Sequence, residues 1–274
     1  MNLQLMALHK LKNKFRKQIK RKMKKYLIIT TAILTTILGI VSCKKESNSP
    51  GVSTPLLSLS DNAVIGGNIL IDSSGRTVYN FIFDDNGVAA CNGGGEVSWP
   101  HVYFANLSQN NLGQGLSISD FSTTTDIDGS MQTTFKGHPL YNYSHDTKTN
   151  GVWSVTGNNI EGGVWFAGQP DFSVFFLSPK LTDGDTTTHL TTNKGITLYT
   201  TTLSNPGSGW TAYQPTNKII NLPARLSSAD FSINANGALT YNGSILYTYA
   251  NDKVIGDTTG IGVTGYSLVL LPDE

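Results

Sequence analysis

The chain is poor in cysteine, with only Cys43 and Cys91 among 274 residues, which rules out a disulfide framework as its source of stability. Acidic residues are missing from the first 42 positions, where ten of the twenty Lys and Arg residues lie. After Val41 no apolar stripe of helical period runs for ten residues or more, which argues against a helical bundle. Catalytic signatures are also lacking: there is no nucleophile elbow, no zincin-type His-Glu pair and no Cys-x-x-Cys-His haem attachment. The glycine-rich stretch 157–163 has no Lys-Ser or Lys-Thr, so it is a turn region and not a phosphate loop.

What is present at the amino terminus is a basic stretch ending at Lys25, followed by sixteen mostly apolar residues, Tyr26 to Val41. At ~1.5 Å per residue that run reaches about 24 Å as a helix, short for a bilayer span and suited to the apolar part of a cleaved signal peptide. Ile40-Val41-Ser42-Cys43 looks like a lipobox, which predicts a signal peptide over 1–42, lipidation at Cys43 and attachment to an outer membrane or cell surface. Met23-Lys24-Lys25-Tyr26 would also make a compact signal start. Residues 43–59 have the polar, turn-rich composition of a tether.

From Cys43 onward ten basic residues face nineteen acidic ones, a balance of −9. That charge disfavours nucleic acid as a partner. The remaining length suffices for one large or two small β domains.

Four copies of one pattern organise this body: Gly75-Arg76-Thr77-Val78-Tyr79, Gly137-His138-Pro139-Leu140-Tyr141, Gly195-Ile196-Thr197-Leu198-Tyr199 and Gly243-Ser244-Ile245-Leu246-Tyr247, with starts 62, 58 and 48 residues apart. Each glycine follows a residue suited to a tight turn, and Asn242-Gly243 is the strongest hairpin signal of the set. The spacing predicts repeated β-hairpins, with the tyrosines on one strand face and Val78, Leu140, Leu198 and Leu246 on the other. Asp120-Phe121 and Asp230-Phe231 pair the copies into a longer duplication, read as units 60–177 and 188–274 joined by a linker over 178–187. The fold class is all-β, as a sandwich, a barrel or a small propeller-like array, preceded by a signal-peptide helix. The tyrosines are assigned to the core.

Leu70 to Tyr79, Cys91 to Gly95, Trp99-Pro100, Asp128-Gly129, Gln132, Gly137 to Tyr141, Asp146 and Trp165 occur in an order that resembles the bacterial lipoprotein family called the secreted repeat of unknown function. The resemblance covers most of 64–168 and, more weakly, 188–268. It implies an exported lipoprotein and assigns no activity. Members typically have a second cysteine where this chain has Gly95 and a second proline where it has His101, so any disulfide or redox element built on that pair is missing here. The second unit carries neither the cysteine nor the Trp-Pro.

Candidate ligand residues are Cys91, Trp99, His101, His138 and Tyr141. Cys91 has no cationic neighbours to lower its pKa, and His138, in a turn, is expected at the surface. Asp126-Ile127-Asp128-Gly129 and Asp183-Gly184-Asp185 have the short acidic spacing of calcium loops without the downstream glutamate, and turn chemistry accounts for both. The reading that follows is a non-enzymatic, membrane-anchored interaction module that needs no cofactor or metal, with an unknown ligand or protein partner. Two alternatives stand beside it: a redox accessory holding metal or haem near Cys91, His101 and His138, and a carbohydrate binder using Trp99, Tyr103, Trp153 and Trp165.

Overall fold

The computed structural model describes residues 54–85, 87–179, 187–217 and 220–271. Cys43, the signal segment and Asp183-Gly184-Asp185 lie outside the described residues. Within them the chain is all-β: eighteen short strands and four 3-10 turns, with no α-helix and so none long and apolar enough to cross a membrane. The strands form seven small open sheets, the largest having four strands. No described sheet closes into a barrel, and the many small antiparallel sheets are consistent with the sandwich-like alternative.

The same series of elements occurs twice. Leu57–Asn62 pairs with Gly67–Asp72 as Phe175–Leu177 pairs with His189–Thr191. Tyr79–Phe81 pairs with Trp165–Ala167 as Tyr199–Thr201 pairs with Tyr266–Leu268. Phe121–Thr125, Met131–Phe135 and His138–Pro139 form a three-stranded sheet, and so do Phe231–Ile233, Leu239–Tyr241 and Ser244–Ile245. Phe175–Leu177 thus pairs with the opening strand of the second half.

The four glycines all have positive φ, and the copies use two turn classes in alternation. At Lys136-Gly137 and Asn242-Gly243 both residues are left-handed, the signature of a two-residue hairpin turn whose twist matches its strands. At Gly75 and Gly195 only the glycine is left-handed. There a three-residue loop closes, Gly75 N–H donating to the Asp72 carbonyl and Gly195 N–H to the Thr192 carbonyl. Asp72 Oδ1 accepts from the N–H groups of Ser74 and Arg76, and Thr192 Oγ1 accepts from Lys194 and Ile196 in the same places. The turns therefore match first with third and second with fourth.

The tyrosine strands are shorter than a simple hairpin return because each leaves its hairpin within a residue or two. Val78 N–H donates to Leu70 within the hairpin, and the next residue, Tyr79, exchanges both backbone bonds with Tyr141. Alternation then divides the side chains between separate core clusters. Val78 and Leu140 join Leu57, Leu70 and Phe135, whereas Tyr79 and Tyr141 join Trp99 and Trp165. Phe166 points away from its neighbours Trp165 and Ala167, into the cluster that also holds Phe176, Leu198 and Leu246. Each such side chain contributes roughly 1.5 to 3 kcal/mol when fully buried.

Candidate functional site

The four repeat tyrosines are buried, and the hydroxyls of Tyr79, Tyr141 and Tyr199 end on carboxylates. Tyr79 donates to Asp146 Oδ2 at 2.7 Å, Tyr141 to Asp84 Oδ1 at 2.8 Å, and Tyr199 to Asp252 Oδ2 at 2.9 Å. Asp146 Oδ1 also accepts from the N–H and hydroxyl of Thr156, as Asp252 Oδ1 does from Thr259. Gly157 and Gly260 follow those threonines where a Cβ would come within about 3 Å of Trp99 and Tyr79 or of Trp210 and Tyr199. Trp99 stacks on Trp165 at 3.6 Å and 6°, and Trp210 stacks on Tyr266 at the same distance and angle. Trp210 thus stands in for Trp99 in the second half, although no proline marks it.

These frames explain a pattern that the glycine repeat hides: Tyr-x-aromatic-x-x-Asp at 79–84, 141–146 and 247–252. In the first half the partners cross over, Tyr79 using the aspartate of the second copy and Tyr141 that of the first. The third copy has Ser204 at the aspartate position. Burial, then the neighbouring carboxylate, lifts Tyr79, Tyr141 and Tyr199 above the usual phenol range. Burial also pushes Asp84 up to about 8, opposed by the Ala90 N–H and the Tyr141 hydroxyl.

Of the sequence candidates, the fold brings Cys91, Trp99, His101 and Tyr141 into one region. Cys91, Trp99 and Tyr141 share a core cluster, and the His101 ring meets Tyr141 edge-on at 5.5 Å. The Cys91 thiol is pushed up to about 12 by burial, then by Asp84, Glu161 and Glu96, so it is unreactive at neutral pH. Gly95, at the place of the expected second cysteine, would put a Cβ 2.8 Å from its sulfur.

His138 is elsewhere, and it is buried, contrary to the expectation from its turn. Its turn packs against the second half, with Gly137 beside Lys194 and Ile255, and its ring meets Phe175 edge-on at 4.9 Å. Burial pushes its pKa down to about 4, with the Asn193 main chain opposing. A redox centre spanning Cys91 and His138 therefore loses one of its proposed ligands. The sugar-platform reading fails on geometry as well, because Trp99 and Trp165 are 2% and 1% exposed and stack on each other. Tyr103 is exposed, while the Trp153 ring is half-buried beneath Arg76 and Lys148.

Sequence reading passed over Glu96 as a partner of His101. Among the described residues, Glu96, His101 and Asp126 place one ligand atom each within 4.8 Å of one another. Glu96 sits on the 3-10 turn Gly93–Val97, with Oε1 accepting from the Gly93 N–H. His101 follows Trp99-Pro100, its Nε2 2.9 Å from the Cys91 carbonyl oxygen. Asp126 follows the strand Phe121–Thr125, and its Oδ1 caps the turn by accepting from the N–H groups of Asp128 and Ser130. Turn chemistry therefore accounts for one oxygen of Asp126. The other, Oδ2, is buried with no hydrogen bond and faces His101 Nδ1 at 3.4 Å.

A separate open cleft of about 510 Å³ lies where the two halves meet. Its first-half wall runs from Ser119 to Thr124 and includes Lys136, and its second-half wall includes Lys194, Lys253 and Ile255. Lys136 Nζ donates to the Pro170 carbonyl, while Lys194 Nζ stands 4.0 Å from Asp120 Oδ1.

Residues 122–167 match the family model of the secreted repeat of unknown function. The matched segment runs from the strand before Asp126 to Ala167, spanning Tyr141, Asp146, Thr156, Gly157 and Trp165 of the first aromatic frame. No curated protein and no solved structure matches the chain.

Proposed function

We propose that this chain is an exported, lipid-anchored, non-enzymatic binding module whose ligand or partner docks at the seam of its two halves. The cleft carries this reading, because both copies contribute wall residues to this open concavity. The polar groups of the repeat itself support it, since the Tyr79, Tyr141 and Tyr199 hydroxyls are engaged by carboxylates in the interior. The match to a secreted repeat supports export, and the lipobox before Cys43 supplies the anchor. Outer membrane or cell surface is the destination that fits Lys44 after the acylated cysteine.

The anchor is tested by metabolic labelling with a palmitate analogue and by membrane fractionation of the wild type and Cys43→Ser. Label and membrane association should both disappear in the variant, and retention of both removes the anchor. The non-enzymatic part is tested by offering the purified protein a broad panel of hydrolase and redox substrates. Turnover of any of them would replace this reading.

A further inference from the structure

We propose that Glu96, His101 and Asp126 form a binding site for a divalent transition metal of the zinc class. The argument starts with the imidazole. A backbone carbonyl can only accept, so the contact between His101 Nε2 and the Cys91 oxygen requires the ring proton on Nε2. In the neutral ring Nδ1 then presents a lone pair to Asp126 Oδ2. Two acceptors facing each other in a buried place repel unless a proton or a cation stands between them.

The separation fits a small tetrahedral cation. Bonds of about 2.0 to 2.1 Å to a tetrahedral zinc ion put neighbouring ligand atoms about 3.3 to 3.4 Å apart, and Nδ1 and Oδ2 are 3.4 Å apart. An imidazole ligand disfavours calcium and magnesium, which take oxygen. Both ligands already have the outer support that metal ligands need: His101 Nε2 is held by the Cys91 carbonyl, and Asp126 is held through Oδ1 by its turn. Glu96 is half-buried on a short turn and within reach, so a small side-chain rotation supplies the third ligand. Water takes the fourth position. Exposed Asp128 stands beside Asp126 and adds negative potential at the entrance.

The test uses full-length protein extracted in detergent, stripped with chelator and titrated with Zn²⁺, Ca²⁺ and Mg²⁺ by calorimetry. Zn²⁺ should bind at one per chain, with no heat from Ca²⁺ or Mg²⁺ at the same concentrations. Co²⁺ should give the intense visible bands of a tetrahedral site. Glu96→Gln, Asp126→Asn and His101→Gln should each weaken Zn²⁺ at least about tenfold, and Glu96→Gln, on a partly exposed side chain, leaves the core intact. Absence of Zn²⁺ binding in the wild type overturns the proposal. Zn²⁺ affinity unchanged in all three variants overturns it equally.

Discussion

Tyr79 donates its hydroxyl hydrogen to Asp146 over 2.7 Å, and the bond joins the first and second copies of the glycine-tyrosine pattern. Asp146 takes its other hydrogen bonds from Ser154 and Thr156 through Oδ1, so the tyrosine alone serves Oδ2. Tyr199 and Asp252 repeat the arrangement, with the Gly260 N–H donating to the tyrosine oxygen as well. The duplication is thus preserved in these polar atoms as well as in its strand order, whereas Ser204 leaves the Tyr141–Asp84 bond without a counterpart.

Removing one of these hydroxyls leaves a buried carboxylate oxygen unserved. Tyr79→Phe and Tyr199→Phe should each lower unfolding free energy by about 2 kcal/mol, the usual range for a hydrogen bond to a charged group. Urea denaturation of each variant checks this. A loss below about 0.5 kcal/mol at both positions would show that the bond contributes little beyond ring packing.

Stability should fall as pH rises from about 6.5 to 8. Asp84 has a folded pKa near 8, well above its unfolded value, so the folded state holds a proton that the unfolded chain has released. The stabilisation is complete at acid pH and is lost as pH rises toward 8, at a slope of order 1 kcal/mol per pH unit. Burial raises Asp252 in the same direction. His138 acts oppositely, since its folded pKa near 4 lies below the unfolded one and costs stability as pH falls below about 6.5. Burial lowers His189 in the same direction as His138, so below about 6.5 the histidines oppose the Asp84 effect, and above 6.5 that opposition is gone. Asp84→Asn should flatten the upper limb in chemical denaturation measured across this range.

Gly95→Cys should form a disulfide with Cys91. A Cβ at position 95 lies 2.8 Å from the Cys91 sulfur, a separation from which the added sulfur can reach bonding distance. Closing so short a loop should stabilise the fold by about 2 kcal/mol in the chain-entropy picture. Thiol titration under denaturing conditions should show both cysteines blocked, and the thermal midpoint should drop on adding reductant. Two titratable thiols in the oxidised variant would contradict this geometry.

The parts of this architecture fixed by local chemistry were legible in the residues. Asn242-Gly243 announced its turn because both positions need positive φ, and the Val78/Tyr79 alternation followed from strand periodicity alone. What depends on distant packing was not legible. His138 follows a turn that would face water in an isolated hairpin, and only the second half, arriving at Gly137, buries it. Trp210 was overlooked because its role is defined by the ring it stacks on, Tyr266, and not by a neighbouring proline. The Tyr-x-aromatic-x-x-Asp spacing stood in plain view, but the crossed pairing that gives it meaning appears only when Tyr79 and Tyr141 lie side by side. Glu96, His101 and Asp126 come from a turn, a loop and a strand end, and no local spacing links the first two to the third.

Gly195 packs against Ile255, and two glycine substitutions separate conformational strain from crowding there. Gly195 and Gly243 both lie in the left-handed region, at φ 72° and 80°, so alanine at either costs about 1 to 2 kcal/mol for its backbone alone. At Gly243 a Cβ would meet nothing within 4 Å. At Gly195 it would fall 2.3 Å from Ile255 Cγ1, far inside contact distance, and overpacking adds about 1 to 3 kcal/mol or more. Ile255 is also a wall residue of the seam cleft, so relief by moving it would reshape that cleft. Gly195→Ala should therefore be destabilised by at least about 2 kcal/mol more than Gly243→Ala in urea denaturation. Adding Ile255→Ala to Gly195→Ala should cost less than the sum of the two single changes, because the truncation frees the space that the new methyl needs. Equal losses at the two glycines, or strict additivity of the double variant, would mean that Gly195 is required for its backbone angle and not for the approach of Ile255.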